Sequence, residues 1–485
     1  MYTVRDVKNY RDKYHKIAKR ALKAEKLNTA LDALYHCGAL QHIVNIDLRD
    51  DISERLMTEL SFKFNRIEYP KPYMYCLFYD SIAISNIALS MQYLEALTSL
   101  GKKFVYLINA KNASEDLMIL AKKCENCEVI VIDSTQNMVE KIKIIRGIIS
   151  KKRPEKILLH MGNSDPIGCV AFYNISGCTK YLINHGDEQF WLGATVLDYL
   201  IEFRGMGKDA SIKYRGLRDE QCLILPYYPV LKSEKFKGFD FQIPIDAIRI
   251  FSGGRFAKVY AENGRFMDVV SDILNRHPKA FFIFAGSGDA EPMKEYVKKN
   301  GLEKQWKVIG YRDDLLAVLK QMDIYLGTYP QTGGLMAQYA AVAGLPIVEM
   351  NTKNGGITED LLPKFREGGY RITYEVWKDY NEQIDKLIDD SDYRLSISDE
   401  IKGANITETD FCMSLQNLLA YNASQYPGTH REINLEVRTK RLLEAENKYI
   451  HRIPGIMCNK NIARYYPLTF ILNLARYIYF KRGKP

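Results

Sequence analysis

Asp323-Ile-Tyr-Leu-Gly-Thr-Tyr-Pro-Gln-Thr-Gly-Gly-Leu335 and, shortly after it, Ala343-Gly-Leu-Pro-Ile-Val-Glu-Met350 have the pattern of a strand, a helix and a second strand. The apolar runs at 324–326 and 346–350 predict buried strands, and the segment between them is typical of a helix that opens near the paired glycines. Because parallel strands need long crossovers, this order predicts parallel pairing.

The same alternation extends in both directions along the chain. Apolar runs predict further strands at 73–79, 104–108, 129–132, 157–159, 181–183, 200–203, 222–225, 248–251, 281–284 and 307–309. Pro226, Pro229 and a stretch rich in Lys, Gly and Phe up to position 243 interrupt the alternation and predict a linker. The sequence therefore predicts an α/β protein of two Rossmann-like parallel-sheet domains that face a cleft, with ligands bound beyond the carboxyl ends of the strands.

The two ends of the chain differ from this pattern. Residues 1–68 have apolar residues at three- and four-residue steps, which predicts helices, with a turn at Lys26-Leu-Asn28 and Asn28 or Thr29 capping the second helix. This segment is either one tetratricopeptide-like hairpin or, our preferred interpretation, a helical cap. We divide the chain into a helical segment at 1–68, two Rossmann-like domains at 69–240 and 241–425, and a helical basic tail at 426–485.

Composition excludes several classes of protein. The chain is 47% hydrophobic and 26% charged, as in ordinary globular proteins. A net charge of +9 over 485 residues is too mild a bias to indicate nucleic-acid binding. The nine cysteines are scattered and odd in number, which argues against a disulfide framework. Cys124 and Cys127 form a CxxC without a second pair, and we interpret them as small residues in a turn before a strand.

The location of the protein follows from what its sequence does not contain. The first residues lack the apolar core of a signal peptide, and no window approaches ~18 uninterrupted apolar residues. The sequence therefore predicts a cytoplasmic protein. The tail from residue 451 has no Asp or Glu, is rich in aromatic residues and carries the cations Arg452, Lys460, Arg464, Arg476, Lys481, Arg482 and Lys484. It is either a surface that touches the anionic inner face of a membrane or a helix packed back across the domains.

Positive charge and glycines follow one strand of the second half. In Phe251-Ser-Gly-Gly-Arg-Phe-Ala-Lys258, Arg255 and Lys258 stand three residues apart after a predicted strand. Thr332, Gly333 and Gly334 open a later helix, whose first N–H groups have no partner within the helix. Two cations and a helix N-terminus suit a diphosphate, above all as a leaving group. The alternative is an ordinary strand–turn–helix with solvated cations.

Taken together, these motifs resemble the donor-binding half of GT-B glycosyltransferases. The similarity lies in the order of a strand followed by Arg and Lys, FAGSGD, VIGYRDD, DIYLGTYPQTGG and AVAGLPIVEM, over roughly 245–365, and more loosely over 70–240. The branch of O-GlcNAc transferases and bacterial N-glycosyltransferases is the most similar. The resemblance implies that nucleotide-sugar contacts come from Arg255, Lys258, Gly286, Gly310, Tyr311, Arg312, Thr332, Gly333 and Gly334, with the loop at 310–312 near the base.

One departure from the family pattern concerns two glutamates that many retaining GT-B enzymes carry eight residues apart. The corresponding positions hold Gln331 and Tyr339. A tyrosine cannot accept two hydrogen bonds as a ribose-binding carboxylate does. This argues against the common retaining subfamily, and we favour an inverting reaction.

The first half is expected to bind the acceptor and to supply a base. His185, in Asn184-His-Gly-Asp-Glu188, follows a predicted strand, as a histidine of many GT-B enzymes does, and it is our first candidate. Asp187 and Glu188 are rival bases, or solvated loop acids. Asp80 follows the first strand and is either a base or a helix cap. The segment His160-Met-Gly-Asn-Ser-Asp165 also ends a strand and is either a direct contact or a structural turn.

The sequence therefore predicts a glycosyltransferase that moves a hexose-like sugar from a nucleotide-diphosphate sugar, such as a UDP-sugar, to a polysaccharide, a lipid-linked sugar or a protein. We expect no metal and no cofactor beyond the nucleotide-sugar co-substrate, because Asp390-Ser-Asp392 closes a probable helix and not a strand. The alternative functions are a non-catalytic GT-B partner or chaperone of another transferase and, with less support, a sugar-phosphate epimerase.

Overall fold

The computed structural model describes residues 1–83, 87–110, 113–231, 234–351, 357–365 and 370–482. Ser85, near which the sequence pattern begins a helix, and Lys484 of the basic tail lie outside the described residues. The chain forms two compact units. Unit 1 consists of Met1–Leu225, Phe411–Pro427 and Leu435–Pro485, and unit 2 consists of Pro226–Asp410 and Gly428–Asn434.

Strands follow the predicted runs closely. Their bounds are β1 Ile67–Glu68, β2 Met74–Asp80, β3 Phe104–Ile108, β4 Cys127–Val131, β5 Pro154–His160, β6 Ile175–Ser176, β7 Thr179–Ile183, β8 Tyr199–Glu202, β9 Cys222–Ile224, β10 Ile248–Arg255, β11 Ala280–Ser287, β12 Trp306–Ile309, β13 Ile324–Leu326, β14 Ile347–Met350 and β15 Thr373–Tyr374. The sequence did not predict β1, β6 and β15, because two residues are too few to show a period.

Helices occupy most of the remaining described chain. Their bounds are α1 Val4–Lys23, α2 Leu27–Val44, α3 Asp51–Ser61, α4 Ile87–Ser99, α5 Glu115–Lys123, α6 Met138–Lys152, α7 Pro166–Phe172, α8 Gly205–Arg215, α9 Ala261–Arg276, α10 Glu291–Lys299, α11 Leu315–Leu319, α12 Gly334–Ala343, α13 Trp377–Asp389, α14 Ser391–Ile401, α15 Glu408–Tyr421, α16 Leu435–Ala445, α17 Ile453–Met457, α18 Lys460–Tyr465 and α19 Pro467–Arg482. Three short 3-10 helices and a π-helical turn complete the set at Asp219–Gln221, Phe256–Val259, Thr358–Leu361 and Glu446–Ile450.

The prediction for the start of α2 was wrong. The helix begins at Leu27, and its N-cap residue, Lys26, makes no side-chain capping bond. Asn28 lies inside the helix, and its side-chain oxygen instead accepts a hydrogen bond from the amide of Val139 at 3.1 Å. The side chain of Asn28 therefore binds the distant Val139 and does not cap the helix.

The core of unit 1 is a seven-stranded sheet in the order β4-β3-β2-β5-β7-β8-β9. Every pairing in it is parallel, as the alternation of strands and helices predicted. The central strands β2, β3 and β5 are buried along most of their length, which explains their apolar runs. Since the strands are parallel, residues that follow β2, β5 and β7 emerge at the same edge of the sheet.

Unit 2 has a six-stranded sheet in the order β12-β11-β10-β13-β14-β15. Its pairings are also parallel. The carboxyl ends of β12, β11, β10 and β13, four consecutive neighbours, therefore share one edge, and this edge carries the predicted nucleotide-sugar contacts. The two units thus give the mixed α/β fold with two Rossmann-like domains and a helical N-terminal segment that the sequence predicted.

The limits of the units differ from the boundary at 240 because hydrogen bonds hold the linker in unit 2. The side chains of Gln338 and Tyr339 on α12 donate to the carbonyl oxygens of Tyr227 and Val230 at 2.6 and 2.7 Å. The chain returns to unit 1 at Phe411, whose ring lies against Tyr93 with centroids 5.3 Å apart.

Among the described residues, no helix is long and apolar enough to cross a membrane.

Candidate functional site

Two glycines fix the path of the chain into the positively charged turn of unit 2. Gly254 on β10 pairs with Gly286 on β11. A Cβ atom at Gly286 would lie 2.0 Å from the carbonyl oxygen of Gly254, so no larger residue fits there. Gly254 itself has a φ of +139°, which side chains other than glycine rarely adopt. Gly286 therefore shapes the site by letting two strands approach closely just before Arg255.

The turn that follows β10 reaches the opening of α12. Lys258 lies in the 3-10 helix Phe256–Val259, and its Nζ donates to the carbonyl oxygen of Thr332 at 3.1 Å. A Cβ atom at Gly333 would lie 3.7 Å from the same Nζ. The structure thus brings together Lys258, Thr332 and Gly333, although 74 residues separate the lysine from the threonine.

The start of α12 has the properties of an anion-binding helix end. Its N-cap residue is Gly333, which supplies no side-chain acceptor to the amides of the first turn. Gly334 opens the ten-residue helix, and a Cβ atom there would lie 2.2 Å from the Leu361 side chain. Positive charge of the helix dipole therefore lies at the same place as the Lys258 ammonium.

Arg255 contributes a second cation of a different kind. Its side chain is exposed, and it forms no hydrogen bond or ion pair with any residue that the structure describes. An exposed guanidinium can rotate toward an anion without giving up an existing partner. The hydrogen bond of Lys258 therefore fixes its ammonium group, whereas the guanidinium of Arg255 is available to bind an anion.

The residues predicted to contact the nucleotide in the loop after β12 differ in how accessible they are. Arg312 donates from Nε and Nη2 to the two carboxylate oxygens of Asp314 at 2.7 and 2.6 Å, and from Nη1 to the carbonyl oxygen of Gly238. Asp314 is buried and holds this guanidinium in place. Tyr311, in contrast, is 77% exposed, and Gly310 is also exposed. Contact of this loop with a nucleotide base stays a prediction, and Tyr311 is its most accessible side chain.

Tyr339 and Gln331 stand where the family pattern has two glutamates, and both form hydrogen bonds of another kind. The hydroxyl of Tyr339 donates to the backbone of Val230, so it helps to hold the linker on α12. The carbonyl oxygen of Gln331 accepts a hydrogen bond from the Thr328 hydroxyl at 2.6 Å. Neither the tyrosine hydroxyl nor the backbone of Gln331 reproduces the pair of carboxylates that the family pattern has at these positions.

In unit 1, Asp80 is completely buried at the end of β2. Its carboxylate accepts hydrogen bonds from the hydroxyls of Ser90 and Tyr106 at 2.6 and 2.9 Å and lies 3.2 Å from Nδ1 of His160. It also accepts from the amide of Ile82 at 3.0 Å. Burial opposes ionisation, but His160 and the hydroxyl donors outweigh it and lower the pKa of Asp80. This set of partners favours a structural role, and a role as base stays a prediction.

His185 lies after β7, beside the pair formed by Asp80 and His160. Its Nε2 donates to Oδ1 of Asn163 at 2.8 Å, which leaves the lone pair on Nδ1. The rings of His185 and His160 meet edge to face, with centroids 5.7 Å apart. Burial, together with the charge of His160, lowers the pKa of His185 to about 3, so the imidazole is neutral near pH 7. Sequence reasoning named the segment that contains Asn163 but did not pair Asn163 with His185, because the pairing of β5 with β7 gives no local signal.

The rival acids of this loop are tied to arginines. Asp187 is buried and pairs with Nε of Arg204. Glu188 pairs with Arg438 on α16. These ion pairs anchor the loop around His185 and leave neither carboxylate as an unpaired base. The pairs favour a structural role for both acids, which are not the solvated loop acids of the alternative interpretation.

The neutral state of His185 predicts a specific dependence of stability on pH. The unfolded imidazole takes up a proton near pH 6.5, whereas the folded one does so only near pH 3, so acid favours unfolding between these values. We expect the wild type to lose about 1–2 kcal/mol more than His185→Gln between pH 7 and pH 5 in urea unfolding. The exposed His430, replaced by Gln, is the control and should leave the slope unchanged. Equal slopes in all three proteins would contradict the lowered pKa of His185.

Two groups of acidic and metal-ligating side chains have hydrogen-bond partners within the protein. Among the described residues, one group of His, Cys and Asp side chains lies close together, at His15, Cys37 and Asp50 in the helical N-terminal segment. Asp50 already accepts hydrogen bonds from His15, Gln41 and Ser53 at 2.6–2.9 Å, and these bonds account for the cluster without a metal ion. In Asp390-Ser-Asp392, Asp390 caps α14 by accepting from the amide of Tyr393.

The fold resembles those of several solved glycosyltransferases. A mutant of the O-GlcNAc transferase of Thermobaculum terrenum has a TM-score of 0.55 at 14% identity and covers 89% of this chain and 83% of its own. Anabaena HepE, in complex with UDP and glucose, has 0.53 at 13%, with 72% and 99% covered. A glycosyltransferase from Rickettsia africae has 0.54 at 12%, with 74% and 100% covered. At these identities the likeness shows the fold.

The similarity to a known family lies in the sequence of unit 2. Residues 237–403 match the family model described as glycosyl transferases group 1. None of the curated proteins matches the chain. The matched range contains the glycine pair, the charged turn and the opening of α12, which together form the edge described above. The chain has the GT-B fold, and residues 237–403, within its second unit, match the group 1 glycosyl transferases.

Proposed function

We propose that the protein transfers a sugar from a nucleoside-diphosphate sugar to the hydroxyl group of an acceptor. The observation that carries the proposal is the meeting of Lys258 with the opening of α12 at Thr332 and Gly333. A fixed ammonium beside free amides at a helix N-terminus suits a diphosphate. The solved structure of HepE contains UDP, and on this basis we propose a UDP-sugar as the donor.

In the proposed reaction, an acceptor oxygen attacks the anomeric carbon while the bond from that carbon to the diphosphate oxygen breaks. Negative charge then grows on the leaving diphosphate. Lys258, Arg255 and the first amides of α12 lie at one edge of the sheet, and we expect them to stabilise this charge. Because these groups supply the positive charge, we propose that transfer does not need a metal ion.

On the acceptor side we retain His185 and not the acids. Asp80 and Asp187 are both buried and paired, with His160 and Arg204 respectively. The Nδ1 atom of the neutral His185 has no hydrogen-bond partner among the described residues and can accept a hydrogen bond from an acceptor hydroxyl. In the proposed reaction, His185 first orients the hydroxyl and then accepts its proton as the acceptor oxygen bonds to the anomeric carbon, and the low pKa of His185 makes this proton transfer late. We propose an inverting reaction, in the cytoplasm, on a polysaccharide, lipid-linked or protein acceptor.

The test is a panel of nucleotide-sugars against the full chain, with thermal unfolding and sugar hydrolysis as readouts. A bound donor at a hundred times its Kd stabilises the folded protein by about 2.7 kcal/mol, which is a shift of a few degrees. We expect at least one UDP-sugar to give this shift and slow hydrolysis. The shift should disappear when Arg255→Ala and Lys258→Ala are combined.

Two further arms separate the alternatives. The shift and the hydrolysis should persist in excess EDTA, because the proposed site neutralises the diphosphate without a metal. If EDTA abolished both, metal independence would be wrong. If no nucleotide shifted the wild type at millimolar concentration, the proposal would fail in favour of a non-catalytic partner of another transferase.

A further inference from the structure

Helix α19 buries one face and exposes the opposite one. On the buried face, the side-chain oxygen of Asn473 accepts a hydrogen bond from the hydroxyl of Tyr2 at 2.8 Å. The opposite face is apolar: Leu468, Ile471, Leu472, Ile478 and Tyr479 are 77, 58, 64, 42 and 73% exposed. Their spacing of three to four residues places them on one side of the helix. We call this set the apolar face of α19.

Exposed cations that form no salt bridge within the described part of the chain lie in the same C-terminal tail as the apolar face. Lys460, Arg464 and Arg476 are exposed, and none of them forms a salt bridge with a carboxylate among the described residues. Arg476 instead lies over the ring of Tyr2, 4.8 Å from its centroid. Residues 451–485 contain no Asp or Glu at all. The tail therefore combines an apolar face with positive charge and contains no acid of its own.

We propose that the apolar face of α19 inserts into the surface of a bilayer that contains anionic lipid. Helices with an exposed apolar face flanked by Lys and Arg lie in the plane of such interfaces, where apolar burial and attraction to the headgroups act together. The helix docks on the bilayer and does not cross it, since among the described residues no helix is long and apolar enough to do so.

Charge decides between a bilayer and a second copy of the chain. A symmetric dimer formed through this face brings the same patch of both copies together. The cations of both tails would then gather at one interface without any acid in either tail to pair with them. An anionic headgroup layer has the opposite sign and complements these cations. This inference uses no residue of the donor site and is independent of the proposed reaction.

The first test compares vesicles of phosphatidylcholine with and without phosphatidylglycerol, by co-sedimentation of the full chain. We expect binding to the anionic vesicles only. Combining Ile471→Glu and Leu472→Glu should reduce this binding at least about tenfold, because it removes two apolar contacts and adds repulsion. The matched control is Leu395→Glu on α14, since Leu395 and Leu472 are both 64% exposed. It should bind as the wild type does, and thermal unfolding should be alike in all three.

The second test addresses the charges. Lys460→Gln and Arg464→Gln should each weaken binding to anionic vesicles about fivefold, and added salt should weaken it further. Lys298→Gln and Lys299→Gln on α10 of unit 2 remove two exposed cations elsewhere and should have no effect.

Three outcomes would overturn the inference. The first is no binding to anionic vesicles, and the second is binding that the changes in α19 leave intact. The third is a dimer, seen by light scattering without lipid, that Ile471→Glu with Leu472→Glu dissociates.

Discussion

Lys258→Ala is expected to lower the rate of sugar transfer by about two to three orders of magnitude, the range found when one preorganised donor to a developing anion is removed. The ammonium is held 3.1 Å from the Thr332 carbonyl oxygen, at the opening of α12. In the proposed reaction its charge acts where the diphosphate leaves, and its effect is larger in the transition state than in the bound donor. The loss should accordingly appear mainly in kcat and less in KM.

Arg255→Ala should cost less, about tenfold, because an exposed guanidinium is screened by water and must be ordered when it binds. Lys279→Ala provides the control, since Lys279 is 72% exposed and pairs with Asp246 in the same unit. The unliganded Lys258→Ala protein should lose only about 1 kcal/mol of stability, the value of one hydrogen bond. A kcat that stays within threefold of the wild type would remove Lys258 from the proposed mechanism.

The sequence predicted the edge that holds Lys258 and the opening of α12, and the reason is topological. The rule that parallel strands deliver their carboxyl ends to one edge needs only the strand order and the direction of the chain. Predictions at 104–108 and 324–326 match β3 and β13 to the residue. Strand β10, however, continues through Gly254 to Arg255, where the glycines had suggested a turn. The close approach of Gly254 to Gly286 explains this extension, and a single segment cannot show it.

Side-chain pairing was beyond the reach of sequence reasoning. The carboxyl ends of strands were the right places to look, yet the pattern does not tell which acids face inward. Asp80 meets His160 from another strand, and Arg312 is held by Asp314, although it looked available in the loop. Both partners were visible in the sequence, but only the register of the folded sheet and the path of the loop pair them. The sequence therefore locates the carboxyl edge of a sheet, whereas the structure shows which side chains at that edge already have partners.

Asp80→Ala is expected to reduce the free energy of unfolding by about 2–5 kcal/mol, because it leaves several buried donors without an acceptor and each costs about 1–3 kcal/mol. The change leaves His160 buried without its acceptor, and it also removes the acceptor of the Ser90 and Tyr106 hydroxyls. Asp133→Ala is the matched control, because Asp133 also follows a strand of unit 1 but is exposed. Its loss should stay below about 1 kcal/mol in urea unfolding.

The pH dependence of the same variant separates a structural carboxylate from a catalytic one. Since the folded pKa of Asp80 lies below its unfolded value of about 3.9, its contribution is present above that pH and is lost as the pH falls through the folded pKa. The unfolding free energies of the wild type and Asp80→Ala should therefore converge as the pH falls below about 4. A variant that unfolds like the wild type at pH 7 and yet loses transfer activity would show the opposite: the carboxylate would then act on the acceptor, and the stability assigned to its pair with His160 would be wrong.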